Sequence, residues 1–253
     1  MSERFARTEL LYGSDAMKRL SDARVIIFGV GGVGGYVVEA LARSGIGHLD
    51  LVDDDRVCMS NLNRQIIATE KTLGMHKVDA AAQRIADINP DCEVRCFKTF
   101  FLPETKDLFD FTQYDYVVDA IDTVTGKIEL VMSAKEAGVP IICSMGAGNK
   151  TNPAAFRVAD ISKTAVCPLA RIMRKELKKR GVDHLKVVYS EEIPITPEAS
   201  AEDATRTAEV NGTITSVQRR STPGSTAFVP SVVGLIIAGE VVNDITGYVA
   251  DSD

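Results

Sequence analysis

Short apolar runs alternate with segments of helical periodicity along the first 150 residues of the chain. The runs are rich in valine and isoleucine and end at glycine, proline or aspartate, which is typical of buried strands. Between them, apolar residues recur at intervals of three and four, as at Val33, Val37 and Leu41, which is typical of helices. The pattern predicts strands at residues 24–29, 48–53, 92–97, 115–120 and 140–145, and helices at residues 32–44, 75–88 and 124–137.

The pattern changes after Gly148. Two more apolar runs, residues 154–160 and 185–190, predict strands on either side of a lysine- and arginine-rich helix at residues 168–181. Residues 191–226 are polar and lack a clear period, so they predict a long mobile crossover loop, and loops of that length usually have a function.

Strands that alternate with helices predict an α/β fold, with a Rossmann-like, mostly parallel sheet that carries helices on both faces. The C-terminal crossover loop and the basic helix are additions to this plan. We expect one domain, residues 1–253, with a nucleotide-binding core at 1–150 and a C-terminal elaboration at 151–253. The apolar segment Ala227–Val242 is shorter than the ~18 residues of a membrane span and contains Glu240, so it predicts a buried core or dimer helix.

Composition changes this picture only a little. The 253 residues carry a net charge of −6, which gives no global reason to expect nucleic-acid binding, although a local basic patch can supply it. The five cysteines are odd in number and include no C-x-x-C pair, so neither a disulfide framework nor a four-cysteine zinc site is expected. The charged N-terminus is not a signal peptide, and we expect a cytoplasmic protein without a membrane anchor.

The segment FGVGGVGG places five glycines in eight residues between the first predicted strand and the first predicted helix. Gly29, Gly31 and Gly34 form G-x-G-x-x-G, a pattern that lets the backbone and a helix N-terminus approach a phosphate. Asp53 ends the second strand, where an acid binds the ribose hydroxyls of a nucleotide. A tight turn that binds nothing is the structural alternative.

The segments that follow favour ATP over NAD. Beyond the acids Asp53 and Asp55, the chain adds polar residues that suit a triphosphate: Asn61, Arg64 and Lys77. Asp119 and Asp122 form D-x-x-D at the end of the fourth strand, a suitable place for a carboxylate that holds Mg²⁺.

Each of these polar residues also has an ordinary structural interpretation. Arg64 can form a surface ion pair, and Lys77 can be a solvated helix residue. Asp122 can be the N-cap of the helix that follows it. These interpretations weaken together, because all three residues belong to the same edge of the predicted sheet.

Several motifs carry a resemblance to a known family. The segments GVGGVG, LVDDDRV, SNLNRQ, G-x-x-K and DAID resemble the ubiquitin-activating-enzyme superfamily of adenylating enzymes. Three further blocks resemble the tRNA threonylcarbamoyladenosine dehydratases within it: RFARTELLYG, INPDCEVRCF and the long segment that begins GAGNKTNP. The sulfur-carrier members commonly have two C-x-x-C pairs, which this chain lacks.

The resemblance implies roles for individual residues. Gly32 and Asp53 contact the nucleotide, Asp122 holds Mg²⁺, and Asn61, Arg64 and Lys77 bind the triphosphate. Arg7 matches an N-terminal arginine that reaches into the partner subunit's site, which implies a homodimer, and Arg4 is a second candidate.

The implied chemistry is the activation of a carboxylate. The threonyl carboxylate of threonylcarbamoyladenosine in tRNA attacks the α-phosphate of ATP, and the acyl adenylate then closes onto a nitrogen of the same modification. This route needs no enzyme thiol, and residues 191–226 contain no cysteine. Cys143, near the binding end of the sheet, is a small buried residue or a thiol worth testing.

Three other functions stay open at this point. They are adenylation of a ubiquitin-like sulfur carrier, NAD-dependent oxidation and reduction, and nucleotide-gated binding without chemistry. A sulfur-transfer partner is unknown. The basic helix is the candidate tRNA surface, because Arg171, Arg174, Lys175, Lys178 and Lys179 share one face, while Leu169, Ile172, Met173 and Leu177 are expected to point inward. Arg206, Arg219 and Arg220 of the loop are additional candidates.

Overall fold

The computed structural model of the chain describes residues 3–197, 208–210, 213–215 and 223–248. The strands are β1 Arg24–Phe28, β2 His48–Val52, β3 Glu93–Phe97, β4 Tyr116–Asp119, β5 Ile141–Ser144, β6 Phe156–Asp160, β7 Lys186–Ser190, β8 Ala208–Val210 and β9 Thr213–Thr215. The helices are α1 Ala6–Tyr12, α2 Ser14–Asp22, α3 Gly34–Ser44, α4 Lys77–Ile88, α5 Val124–Ala137, α6 Pro168–Lys178 and α7 Phe228–Thr246.

Seven strands form one sheet in the order β3-β2-β1-β4-β5-β7-β6, and only β6 runs antiparallel to its neighbour. The prediction of a mostly parallel α/β sheet is confirmed. The chain leaves β1 toward β2 on one side and returns to β4 on the other, so the strand order reverses between β1 and β4. Crevices at such a reversal are the usual ligand sites of open parallel sheets.

Helices cover both faces of the sheet, and the alternation of side chains along β1 shows why. Val25 and Ile27 belong to the core under α2, α3, α4 and α7, while Ile26 and Phe28 face the aromatic cluster of the opposite side. Helices α5 and α6 pack together over β5 and β7. Strands buried on both faces need continuous apolar runs, which is the pattern that the sequence shows.

Helix α7 is a core element. By length and composition it is apolar enough to cross a membrane, yet half of its most apolar window is buried inside the fold. It packs on α3, where Gly234 lies so close that an added Cβ would be 2.4 Å from the Val33 carbonyl oxygen. Tyr116 of the sheet donates to Asp244 at 2.6 Å. The expected buried helix is therefore present, and it continues beyond Val242 to Thr246.

Four elements were not predicted from the hydrophobic pattern. Helices α1 and α2 precede the sheet, and α1 escapes detection because its leucines are exposed rather than arranged as a buried stripe. Within the expected loop, β8 and β9 form an antiparallel pair in which Val210 opposes Thr213. The intervening sequence is Asn-Gly, which favours two-residue hairpin turns, so a local signal for this pair existed. Most of the remaining loop, with Arg206, Arg219 and Arg220, lies outside the described residues.

Candidate active site

A cavity of about 700 Å³ lies at the carboxyl ends of the central strands, where the strand order reverses. This volume is in the range of small-molecule and cofactor sites. Its first half is lined by the glycine loop, the segment after β2 and the turn after β4. Its second half is lined by residues 144–150 after β5 and residues 167–169 at the start of α6.

The glycine loop is shaped by contacts with its own surroundings. Gly29 has a φ of +88°, and a Cβ there would lie 2.8 Å from the carbonyl oxygen of Ala120. A Cβ on Gly34 would lie 1.8 Å from the Gly29 carbonyl oxygen, so these two glycines are required by the backbone. Gly31 and Gly32 line the cavity, and a Cβ on Gly31 would meet nothing nearer than 3.8 Å. The loop therefore keeps an open backbone surface of the kind that phosphates approach.

Asp53 stands at the end of β2 as the sequence predicted. Its carboxylate accepts hydrogen bonds from the backbone N–H groups of Val30, at 2.7 Å, and Asp55, at 3.0 Å. Burial is the largest influence on this group and raises the pKa of Asp53, against the opposing effects of Lys77 and the two N–H donors. Phe28, Val52 and Phe101 add an apolar wall beside it, which suits a base and which sequence reasoning missed.

Lys77 is the first residue of α4, and it is buried rather than solvated. Its Nζ lies 2.6 Å from Asp55 Oδ2 and 3.5 Å from Asp53 Oδ1. The interpretation of Lys77 as a solvated helix residue is therefore wrong. The ammonium lies inside the cavity, beside the acid expected to bind ribose.

Asn61, Arg64 and Gln65 form a further part of the cavity wall. The Asn61 side chain is buried and accepts from the Cys58 N–H at 3.1 Å, which shapes the turn. Arg64 donates to the Ser60 carbonyl at 2.7 Å and to Asn63 Oδ1 at 2.9 Å, and it forms no ion pair within the described part of the chain. The surface ion pair considered for Arg64 is thus not observed. Gln65 Oε1 is buried without a hydrogen-bond partner at this wall, as expected of a group that meets a ligand.

The two acids of D-x-x-D have different surroundings. Asp119 is fully buried and pairs with the equally buried Lys127 at 2.9 Å. Asp122 is exposed and lines the cavity, while the N-cap position of α5 belongs to Thr123, so the capping alternative for Asp122 is wrong. Thr123 Oγ1 beside it is buried without a partner.

The chemistry of these donors decides how a metal would fit. Among the described residues, no cluster of three or more His, Cys, Asp or Glu side chains can hold a metal ion. Mg²⁺ usually takes one or two carboxylates together with water and substrate phosphates. Asp122, an exposed residue that lines the cavity, fits that role with a triphosphate, and the described residues offer no metal site without one.

The second half of the cavity contains two residues that sequence reasoning did not single out, Lys150 and Cys167. Both are buried. Val166, directly before Cys167, has a φ of +63°, an uncommon conformation for a β-branched residue. The clue in the sequence was the segment GAGNK directly after a strand, at the binding end of the sheet.

The cysteines do not offer a nucleophile at the expected place. Cys143 is fully buried on β5 opposite Asp119, and burial raises the pKa of its thiol well above the ordinary value. A protonated thiol in the core is a weak nucleophile, which agrees with the interpretation of Cys143 as a packing residue. Cys92 and Cys96 are half-buried and pack against the core under β3, which also agrees with a packing role.

The N-terminal arginines lie outside the cavity. Arg7 is exposed on α1 and is not among the residues that line the site of its own chain. Arg4 contacts Asn89 and Asp91 at 3.5 and 3.4 Å, beside a separate small surface pocket. A role for Arg7 in catalysis thus requires a second copy of the chain.

Helix α6 begins at the cavity, since Pro168 and Leu169 line it. Its basic face is narrower than predicted, because Arg174 is held by the Thr164 carbonyl at 2.9 Å and Lys179 pairs with Glu176 at 2.7 Å. Ile172 is 44% exposed, so its expected inward position is wrong, whereas Met173 and Leu177 are buried. Three cations of this face have neither a carboxylate partner nor a side-chain hydrogen bond within the described part of the chain: Arg171, Lys175 and Lys178.

Fold and site together define a nucleotide-binding α/β protein with a glycine cradle at the reversal of a parallel sheet. The profile of the ThiF family matches residues 5–252. The chain therefore belongs to the ThiF family.

Relatives with known names cover nearly the whole chain. The chain is 44% identical over 247 residues to the tRNA threonylcarbamoyladenosine dehydratase of Bacillus subtilis, covering 97% of this chain and 95% of that one. It is 38% identical over 208 residues to the Escherichia coli protein of the same name, covering 78% and 76%. The structure of E. coli TcdA in complex with ATP matches with a TM-score of 0.83 and 31% identity, covering 97% and 94%.

Proposed function

We propose that this protein is an ATP-dependent enzyme that cyclises threonylcarbamoyladenosine in tRNA by removing one water. The observation that carries the proposal is the continuity of the cavity. One cavity contains both the glycine loop, with Asp53, Arg64 and Lys77, and the residues at the start of a basic helix. The names of the relatives support the same substrate. We further propose that the chain acts as one ATP-binding unit in the cytoplasm.

The reaction proceeds in two steps that the two halves of the cavity can accommodate. The threonyl carboxylate attacks the α-phosphate of ATP, and pyrophosphate leaves. A nitrogen of the same modification then attacks the acyl carbon, the ring closes, and AMP leaves with the oxygen that was part of the carboxylate. The protein contributes positioning and charge stabilisation rather than a covalent intermediate.

Named residues would perform the binding steps. Asp53 would bind the ribose, and the open backbone at Gly31 and Gly32 would face the phosphates. Asn61, Arg64 and Lys77 would contact the triphosphate, for which Lys77 must share its ammonium with Asp55. Asp122 would hold Mg²⁺, which when bound neutralises charge on the phosphate oxygens.

The alternatives fit the site less well. A ubiquitin-like sulfur carrier would also present a carboxylate to the cavity, but it does not explain a basic helix that begins at the cavity mouth. NAD-dependent hydride transfer gains no support from the histidines, since none of the three is among the residues that line the cavity. The acids and lysines that do line it are accounted for by binding of ribose, phosphates and substrate. Binding without chemistry predicts that ATP is bound without forming AMP.

AMP release tests the proposed function. The protein with ATP and Mg²⁺ should form AMP when the tRNA carries threonylcarbamoyladenosine and should form none with the same tRNA lacking the modification. Mass analysis of the nucleosides should then show a loss of one water. AMP formation that does not depend on tRNA would indicate that the substrate is a carrier protein instead. If no AMP forms under any of these conditions, the proposed chemistry is refuted.

We also propose that α6 binds the tRNA backbone. Arg171, Lys175 and Lys178 recur on one face of the helix, and each phosphate contact adds ~0.7 to ~0.9 to the slope of log affinity against log salt. Replacing all three by alanine should weaken tRNA binding. It should also reduce that slope by the amount expected for the loss of about two to three phosphate contacts. Lys179→Ala is the matched control, because Lys179 is already paired with Glu176. Equal salt slopes for the triple variant and the unaltered protein would refute this role.

A homodimer would complete the site. Leu10 and Leu11 of α1 are 85% and 77% exposed, an unusual state for adjacent leucines, and Arg7 lies on the same short helix. Covering these leucines with a second copy would carry Arg7 toward the partner's cavity. Light scattering should report twice the chain mass, and Leu10→Lys should shift the protein toward monomer. A dimer unaffected by Leu10→Lys would place the interface elsewhere.

A further inference from the structure

Lys150 stands out among the buried lysines of the described chain. Lys77, Lys127 and Lys150 are all nearly inaccessible, and the first two have carboxylate partners at 2.6 and 2.9 Å. Lys150 is only 2% exposed, and within the described residues its Nζ makes one hydrogen bond, to the Gly146 carbonyl at 2.6 Å. An ammonium has three N–H donors, so two are left for a partner that the described protein does not provide.

The carboxylate of Glu192 acts on Lys150 electrostatically, but it is occupied by other donors. Glu192 accepts from the backbone N–H of Thr151 at 2.9 Å and of Asn152 at 3.1 Å, and it forms no ion pair with Lys150. The Lys150 Nζ also lies 5.7 Å from the centre of the Phe156 ring. Burying an ammonium without an anionic partner is costly, so Lys150 is suited to an anion that the described part of the chain does not supply.

The location of Lys150 in the cavity indicates which anion it binds. Lys150 lines the half of the cavity formed after β5, with Gly146 and Cys167, whereas Arg64, Lys77 and Asp122 line the other half. We propose that Lys150 binds the carboxylate of the substrate's amino-acid group and holds it next to the nucleotide. This inference rests on the proposed function and names the subsite where the tRNA modification is recognised.

The electrostatics around Lys150 agree with this assignment. Burial lowers the pKa of Lys150, and the nearby groups of Cys167 and Glu192 oppose that effect only in part. A carboxylate placed against Nζ would stabilise the charged form and restore the ordinary pKa. This half of the cavity is thus better suited to a negatively charged ligand than to a neutral one.

The test compares the affinity of the protein for two tRNAs, one carrying threonylcarbamoyladenosine and one with unmodified adenosine at that position. The unaltered protein should prefer the modified tRNA. In Lys150→Met that preference should fall roughly 10- to 100-fold, the value of a hydrogen-bonded charge, while the dissociation constant for ATP stays unchanged. Lys150→Arg, which keeps the charge, should retain part of the preference, and Lys18→Met, an exposed lysine on α2, should retain all of it.

The outcomes separate three explanations. Weaker ATP binding with an intact preference for modified tRNA would assign Lys150 to a phosphate and overturn the proposal. Normal values for both in a folded Lys150→Met protein would show that the lysine binds neither group. If the unaltered protein releases no AMP with modified tRNA, the proposed function itself fails, and this inference fails with it. Thermal melting of each variant shows whether it is folded.

Discussion

Replacing Arg64 by alanine should lower the rate of AMP formation by about 10²- to 10³-fold, the cost of removing one preorganised donor from a developing charge. Arg64 lines the first half of the cavity and pairs with no carboxylate in the described chain, so its positive charge is available to phosphate. The other two cations in the cavity differ. Lys77 forms an ion pair with Asp55, and Lys150 lies in the second half of the cavity.

The measurement is single-turnover AMP formation with saturating ATP and modified tRNA. Arg64→Lys should be intermediate, because lysine keeps the charge but lacks the fork that holds two phosphate oxygens. Arg43→Ala is the matched control, since Arg43 is an exposed arginine whose guanidinium pairs with Glu39 on the surface of α3. Turnover by Arg64→Ala at the rate of the unaltered protein would remove Arg64 from the phosphate site.

The sheet and its helices were predictable because their signals are local. Each central strand is buried on both faces and therefore needs a continuous apolar run, such as RVIIF in β1. Such a run is easily distinguished from a surface segment. Helix α5 was predicted with its observed bounds, since Gly138 in the left-handed conformation ends it clearly. Helix α1 was missed because its leucines are exposed and therefore form no buried apolar stripe.

The candidate site was predicted in part, for a related reason. Spacing after β2 indicates that Asp53, Asn61 and Arg64 meet at one sheet edge, and they do line one cavity. Sequence could not distinguish Asp119 from Asp122, because burial and the pairing of Asp119 with Lys127 depend on how α5 packs on the sheet. Lys150 was missed because its burial depends on how the loop after β5 folds, although the segment GAGNK directly after a predicted strand marked that loop as part of the binding edge.

Replacing Lys127 by methionine should destabilise the protein by about 3–5 kcal/mol, the cost of leaving one member of a buried ion pair alone. Lys127 and Asp119 are both 0% exposed, and their Nζ and Oδ1 atoms lie 2.9 Å apart. Asp119 Oδ2 lacks a hydrogen-bond partner among the described residues. Oδ1 also accepts from the Ile121 N–H at 3.3 Å, but within the described residues no other cation pairs with the carboxylate. Lys127 also donates to the Ile121 carbonyl at 2.9 Å, directly before Asp122, so Mg²⁺-dependent ATP binding should weaken too.

The double variant Lys127→Met/Asp119→Leu distinguishes an uncompensated charge from lost packing. Exchanging both partners of a buried pair for apolar groups is often neutral or stabilising, so the double variant should recover most of the stability that Lys127→Met loses. Urea unfolding gives the free energies, provided that the slope against urea is unchanged among the variants. A double variant as unstable as the sum of its single variants would mean that the two side chains act independently. Recovered stability together with weak Mg²⁺-dependent ATP binding would show that Lys127 positions Asp122 through the Ile121 carbonyl, separately from its contribution to folding.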